Sequence, residues 1–418
     1  MSTPPRRASG RARAIAVLLL SIACPAAARA QEWPAGTLSA FGGRVTFGGE
    51  VTVTAGQEDR GYFNFTDYER SALRLGRAAL VTAVRANPHL SFLLELRAEG
   101  DTWAGHWTAS PYAAYVRVRP WASRDVDIDA GRVPTAFGAF LGRSYGAGNP
   151  LIGYPLGYQY LTSLRADSVP ANADELLAAR GRGWYIAYPL GAQASAAGVS
   201  VVSGFRYDTG VRLRVGGEQA RTQLMASVTT GTLAYPGAAD DNGAPQVAGR
   251  LVVRPTIGLV LGVSGARGAF VANEVRRDLP GALATRQYPQ RAFGADAEYS
   301  RDHWLVRGEV IVSAWSLPAV GWPALDDGLS TRSILAEGRY TILPQLYAAA
   351  RYDRLSFSTV DGSTGRDTWD ANVSRVEAGI GYRVARPLTV KTSVQHVTRD
   401  GGRVRRDTLA AMQVVLWF

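Results

Sequence analysis

The side chains best suited to act on a small charged solute gather in residues 133–182, which carry Arg143, Arg165, Arg180 and Arg182 together with Asp167, Asp174 and Glu175. Guanidiniums interleaved with carboxylates make a charge filter. Across a wet constriction they sort solutes by sign and size. Arg97, Arg117, Arg119 and Arg132 stand in the segments before this stretch, where they would add to the filter from a surrounding wall. The arginine excess predicts a mild preference for small anions. The plainer role for any one of these arginines is pairing with Glu95, Glu99, Asp127 or Asp129 to keep a polar interior satisfied.

Other chemistries find less support. His89, His106, His303 and His396 are far apart, and Cys24 is the sole cysteine, so no zinc spacing exists. No His-Ser or Asp-His run marks a nucleophile and its base. Asp240-Asp241-Asn242 and Asp326-Asp327 offer too few oxygens at too loose a spacing for calcium. Gly42-Gly43 and Gly48-Gly49 lie in or beside a strand and read as close backbone packing. No metal, cofactor or enzyme activity is expected. No aromatic-basic platform separates from the general pattern, so nucleic acid is not an expected partner.

What would hold the charges in place is a series of strands. In Leu90–Asp101, Leu90, Phe92, Leu94, Leu96 and Ala98 alternate with Ser91, Glu95, Arg97 and Glu99, the period of a strand with one apolar face. The last stretch, Asp407–Phe418, alternates in the same way and ends on bulky apolar residues. Strands are predicted at Arg44–Thr54, Ser71–Arg85, Leu90–Asp101, Tyr112–Arg119, Asp125–Arg132, Gly183–Pro189, Ala197–Gly204, Tyr207–Gly216 and Ala220–Gly231. They continue at Gln246–Arg254, Ile257–Arg267, Arg291–Ser300, Trp304–Trp315, Thr331–Thr341, Gln345–Phe357, Val373–Val384, Leu388–Thr398 and Asp407–Phe418. Tight turns at Asn87-Pro88, Arg254-Pro255, Leu343-Pro344 and Arg386-Pro387 alternate with long polar connections. Short turns on one rim and long loops on the other are the layout of a transmembrane barrel. With the N-terminus on the short-turn rim the parity works, except at Phe205-Arg206, a short connection on the long-loop side. Trp103, Trp107, Tyr112, Trp121, Trp184, Trp304 and Trp315 suit interfacial girdles.

The expectation is therefore an all-β fold, a transmembrane antiparallel β-barrel of about 18 strands, with sixteen as the alternative. Residues 1–30 read as a signal peptide: a basic start, the apolar run Ala14–Ala23 and an A-x-A site at Ala28-Arg29-Ala30. Residues 31–418 form the barrel. Without the signal's five arginines the net charge is +6, and Lys391 is the only lysine. Residues 133–182 are too apolar for a solvated loop, with Phe137, Phe140, Leu141, Tyr145, Leu151 and Ile152 among them. They are expected to fold into the barrel as a constriction, with a short helix capped by Asn172 and Glu175 and ended by Gly181.

At Ala130-Gly131-Arg132-Val133-Pro134-Thr135-Ala136-Phe137-Gly138 the chain resembles the phosphate-selective porin family of bacterial outer membranes, where such a run gives way to the constriction loop. The terminal Phe418 is similar to the assembly signal of outer-membrane proteins. The resemblance implies a porin passing small hydrophilic solutes, with a mild preference for anions, in the outer membrane beside its lipid and lipopolysaccharide. It also implies recognition of Phe418 by the barrel assembly machinery and, by analogy, a homotrimer. Phosphate selectivity in the family rests on arginine and lysine clusters, whereas this chain has one lysine. A closed structural or surface-binding barrel and a barrel hydrolase are the competing readings, separated from a porin by conductance and by hydrolysis assays.

Overall fold

The computed structural model describes residues 38–66, 70–103, 105, 107–237, 239–325 and 328–418. The expected signal peptide, His106 and Asp326-Asp327 lie outside the described residues. Sixteen strands follow the chain: β1 Val45–Gly56, β2 Leu75–Asn87, β3 Leu90–Asp101, β4 Trp107–Val118, β5 Val126–Pro134, β6 Tyr207–Val215, β7 Thr222–Thr229 and β8 Gln246–Thr256. They continue as β9 Leu259–Ala269, β10 Pro289–Arg301, β11 Trp304–Trp315, β12 Leu329–Leu343, β13 Leu346–Phe357, β14 Val373–Ala385, β15 Leu388–Arg399 and β16 Arg406–Trp417. Each pairs antiparallel with the next, and β16 returns to β1 through Glu50↔Trp417 to Gly56↔Ala411. The sheet is a closed 16-stranded barrel, which leaves no edge strand unpaired.

The seam is completed by Gly49 and Phe418. Gly49 and Phe418 exchange two backbone hydrogen bonds, at 2.9 and 3.0 Å. Beyond Phe418 a short strand, Leu38–Ala40, pairs with the rest of β1. The Phe418 ring lies on Gly49, where a Cβ would approach its Cζ to 2.5 Å.

Alternation decides which side chains face where. On β3, Phe92, Leu94 and Leu96 are exposed to the outside while Glu95, Arg97 and Glu99 are buried inside. The same inversion, apolar out and charged in, recurs on β1, β6, β8, β14 and β15. An apolar outer band needs a hydrocarbon solvent, and a closed barrel satisfies every backbone group within it.

Two expected strands are not in the barrel. Gly183–Pro189 contributes only an isolated bridge, Ile186↔Ala196, and Ala197–Gly204 forms no strand. Their apolar alternation has another cause: Ile186, Tyr188, Val199, Val201 and Val202 are buried in a cluster inside the barrel. Their loss reduces eighteen strands to sixteen. It also turns Phe205-Arg206 into the end of a long loop, so the parity is restored. The inserted segment thus spans residues 135–206 rather than 133–182. Of the expected girdle residues, Trp103, Trp107, Trp121 and Trp304 are exposed. Tyr112 and Trp315 are buried instead, and Trp184 stacks on Tyr62 at 4.6 Å.

Candidate functional site: a loop held inside the barrel

Residues 135–206 leave β5 and return at β6, closed at the neck by Thr135 N–H donating to Arg206 O at 2.9 Å. The inward turn uses Gly138 at φ +69°, where a Cβ would lie 2.3 Å from the Tyr158 hydroxyl. Gly138 N–H donates to Ser264 Oγ (3.1 Å) and Ala139 N–H to Glu309 Oε1 (2.7 Å). The loop therefore starts against β9 and β11.

From there the wall grips the loop mainly by its backbone. Glu50 on β1 accepts from Gly146 N–H and Ala147 N–H, both at 2.8 Å. Glu377 on β14 accepts from Ile152 N–H (3.2 Å) and Gly153 N–H (3.0 Å). Lys391 on β15 donates to the carbonyls of Gly146 (2.7 Å), Asn149 (2.8 Å) and Leu151 (3.3 Å). Arg351 on β13 donates to Gly153 O (2.7 Å) and Asn149 Oδ1 (2.8 Å). Side chains add Tyr145 hydroxyl to Glu95 (2.5 Å) and Arg77 to the Tyr154 hydroxyl (2.8 Å). A compact ammonium with three rotatable donors suits three converging carbonyls better than a planar fork does.

Toward the long-loop rim the contacts become apolar. Phe137, Phe140, Leu156, Tyr160 and Leu164 join Trp315, Phe357, Trp369 and Phe270 in one buried cluster. The helix of the loop, Ala173–Ala178, begins as expected: Asn172 Oδ1 accepts from Glu175 N–H at 3.0 Å. Glu175 Oε2 accepts from Ala171 N–H at 2.7 Å. Asp370, from the loop between β13 and β14, is buried and accepts from Ser163 N–H and Gly181 N–H, both at 2.8 Å. Burial pushes its carboxyl above the usual range, although backbone donors oppose this.

The charged side chains expected in a filter divide into two groups. Arg97, Arg117, Arg119 and Arg143 face the interior. Arg97 pairs with Glu95 (3.0 Å) and Glu99 (3.3 Å), and its guanidinium lies 3.2 Å from the Tyr112 ring centroid. Arg117 reaches Asp129 and Arg119 reaches Asp127, each at 2.8 Å. Arg143 projects from the loop to Glu337 at 3.2 Å. The others hold structure elsewhere. Arg165 pairs with Asp167 (2.9 Å) and donates to Ile186 O and Ala194 O, both at 2.7 Å. Arg180 ties the loop to Asp367 and Asp400. Arg182 is exposed. Arg132 donates to Pro111 O at 3.1 Å and lies over the Phe205 ring. Glu175 is absorbed by its cap.

The structure adds residues that sequence reasoning missed. Arg212 and Arg214 on β6 join Arg117 and Arg119 around Asp127 and Asp129, with Arg212 at 2.7 Å from Asp129. Arg307 joins Arg143 and Arg351 around Glu337, at 3.1 Å and 2.8 Å for the wall pair. Strand alternation carried the signal for Arg212 and Arg214, since both sit between exposed Val211, Leu213 and Val215. Within these clusters the carboxylates lie deepest. Asp127 is 1% exposed beneath Arg119 at 32%, and Glu337 is 2% exposed beneath Arg143 at 18%. Two pairs are exceptions: Glu298, paired with Arg307 at 2.6 Å, is more exposed than its partner, and Arg351 at 0% lies deeper than Glu337 at 2%.

Comparison of the whole fold places it among known barrels. The anion-selective porin from Comamonas acidovorans superposes with a TM-score of 0.55 at 11% identity, covering 90% of this chain and 99% of that one. Outer-membrane expressed OmpT of Vibrio cholerae gives 0.52 at 11% identity, covering 92% and 100%. The outer-membrane channel DcaP of Acinetobacter baumannii gives 0.51 at 11% identity, covering 90% and 97%. The fold is that of a porin-like barrel. No protein-family model and no curated protein matches the chain. Apolar outer band and closed barrel together make it a protein of the bacterial outer membrane.

Proposed function

We propose that the protein is a passive channel for small hydrophilic solutes, with a mild preference for anions, whose narrowest part lies between the inserted loop and the barrel wall. The observation that carries this reading is the layering of its charges. Carboxylates Asp127, Asp129 and Glu337 lie against the wall, and the guanidiniums of Arg117, Arg119 and Arg143 stand over them toward water. A solute in the lumen then meets cations first, and the field of the deeper acids is partly cancelled. The backbone grip by Glu50, Glu377 and Lys391 keeps the loop at a fixed distance from that wall. Phosphate is the first anion to test, given the resemblance at residues 130–138. Recognition of Phe418 during assembly, a homotrimeric state and a non-enzymatic role belong to the same reading.

The test is single-channel recording of the refolded barrel in a KCl gradient. The reading expects discrete conductance steps and a reversal potential of anion-selective sign. A folded barrel that never conducts would overturn it and favour a closed surface-binding barrel.

A further inference from the structure

Outside the lumen, arginines that break the apolar rule are grouped along one arc of the barrel. On β9, β10, β12 and β13, alternation puts Arg267, Arg291, Arg332 and Arg354 on the outer surface, beside exposed Val263, Phe293, Val312 and Tyr352. All four lie in the half of each strand nearest the long loops. No outward position of the sixteen described strands carries Asp or Glu. Among the described residues none of the four guanidiniums pairs with a carboxylate; Arg354 donates to Ser356 Oγ at 3.2 Å.

Their register makes two pairs. Arg267 stands directly opposite Arg291, which places their Cα atoms about 5 Å apart. Arg354 stands opposite Ile334, one outward step from Arg332, a separation of about 8 Å. Arg332 is opposite Val312, and Val312 is opposite Phe293, one outward step from Arg291. Two strand spacings and that step put the pairs about 12 Å apart across β11. Like charges directly opposed on a sheet repel, and arginine facing lipid is unfavourable in proportion to its depth. Both penalties vanish if an anion sits over each pair. A second copy of this chain cannot supply it from its barrel wall, since that wall has no outward carboxylate. Phosphate oxygens match the guanidinium fork, and anionic headgroups gather at clustered basic residues on a membrane surface.

We infer that the outer face of β9–β13 is a docking site for a lipid of the outer leaflet whose headgroup carries two phosphates, one over Arg267 and Arg291 and one over Arg332 and Arg354. This goes beyond the channel reading, and the two can fail separately because these arginines face away from the lumen.

The experiment is native mass spectrometry of the full refolded barrel in neutral detergent, titrated with a bisphosphorylated disaccharide lipid, its monophosphorylated form and inorganic phosphate. The expected result is binding of the bisphosphorylated lipid at least about tenfold tighter than the monophosphorylated form, without displacement by millimolar inorganic phosphate. R267Q/R291Q and R332Q/R354Q should each abolish that preference and leave conductance unchanged. Equal binding of both lipids, unaltered binding by the variants, or displacement by inorganic phosphate would overturn the proposal. So would oligomerisation in lipid-free detergent that depends on these arginines, which would assign the face to a second copy. Should the glutamine variants not refold, R267K/R291K keeps the charges and loses the fork. It must then show an intermediate preference, and an unchanged one overturns the proposal.

Discussion

Lys391→Met removes a cation that holds the loop by three carbonyls at once. Methionine fills similar space without a donor, so Gly146 O, Asn149 O and Leu151 O lose the partner they have at 2.7–3.3 Å. Leaving a buried acceptor unmatched costs about 1–3 kcal/mol. Burying the ammonium is itself unfavourable, and its loss offsets part of the sum. The low end, about 3 kcal/mol, is therefore the expected loss in loop seating, roughly a hundredfold rise in transient detachment. Hydrogen exchange at the amides of Gly146, Ala147, Ile152 and Gly153 reads this directly, because those N–H groups are bonded to Glu50 and Glu377 only while the loop is seated. Lys391→Arg should recover little, since a planar fork does not point its donors at three converging carbonyls. Exchange at those four amides that is unchanged in Lys391→Met would refute the idea that the wall holds the loop by its backbone, and unchanged open-channel noise would agree with that refutation.

Charge reversal distinguishes the two groups of arginines. Arg143→Glu or Arg119→Glu should shift the reversal potential toward cations, because two unit charges at about 7 Å in water change an ion's energy by about 1 kcal/mol before screening. Arg165→Met should leave the reversal potential alone and weaken the loop by about 2–3 kcal/mol through its two abandoned carbonyls, measured as a lower unfolding midpoint in denaturant. Gly49→Ala should force the Phe418 ring off the seam at a cost of about 1–3 kcal/mol, seen as a smaller yield of heat-resistant folded barrel on gels. For Asp370 the folded carboxyl binds its proton more tightly than an unfolded one. Its contribution is therefore fully present below the unfolded value of 3.8 and is lost as pH rises through the folded value. Protection of the Gly181 amide, corrected for intrinsic exchange, should fall across that window in the wild type and stay flat in Asp370→Asn.

The barrel itself was legible because alternation is local. Leu90–Asp101 and Trp304–Trp315 are found with the expected bounds, since each needs only one wet and one dry face to declare itself. The two supernumerary strands show where that logic fails. Ile186 and Val199 alternate because they rest on an apolar cluster, and period two cannot tell a sheet neighbour from a packed core. Of the site, Arg97, Arg117, Arg119 and Arg143 were legible as interior charge, and the acids suggested for Arg97, Arg117 and Arg119 are the ones they meet. Lys391, Glu50 and Glu377 were not. Their partners are backbone atoms of a distant segment, so no side-chain pattern in the sequence announces them.

The join between Gly49 and Phe418 has a consequence for biogenesis. Apart from its start, paired with Leu38–Ala40, the first strand of the cylinder waits for residues 411–418 before it has a neighbour on that flank. Pairings so remote in the chain form slowly, and until then both margins are open to partners from other molecules. A nascent chain cut short by even one strand would keep a raw margin and be a target for proteolysis.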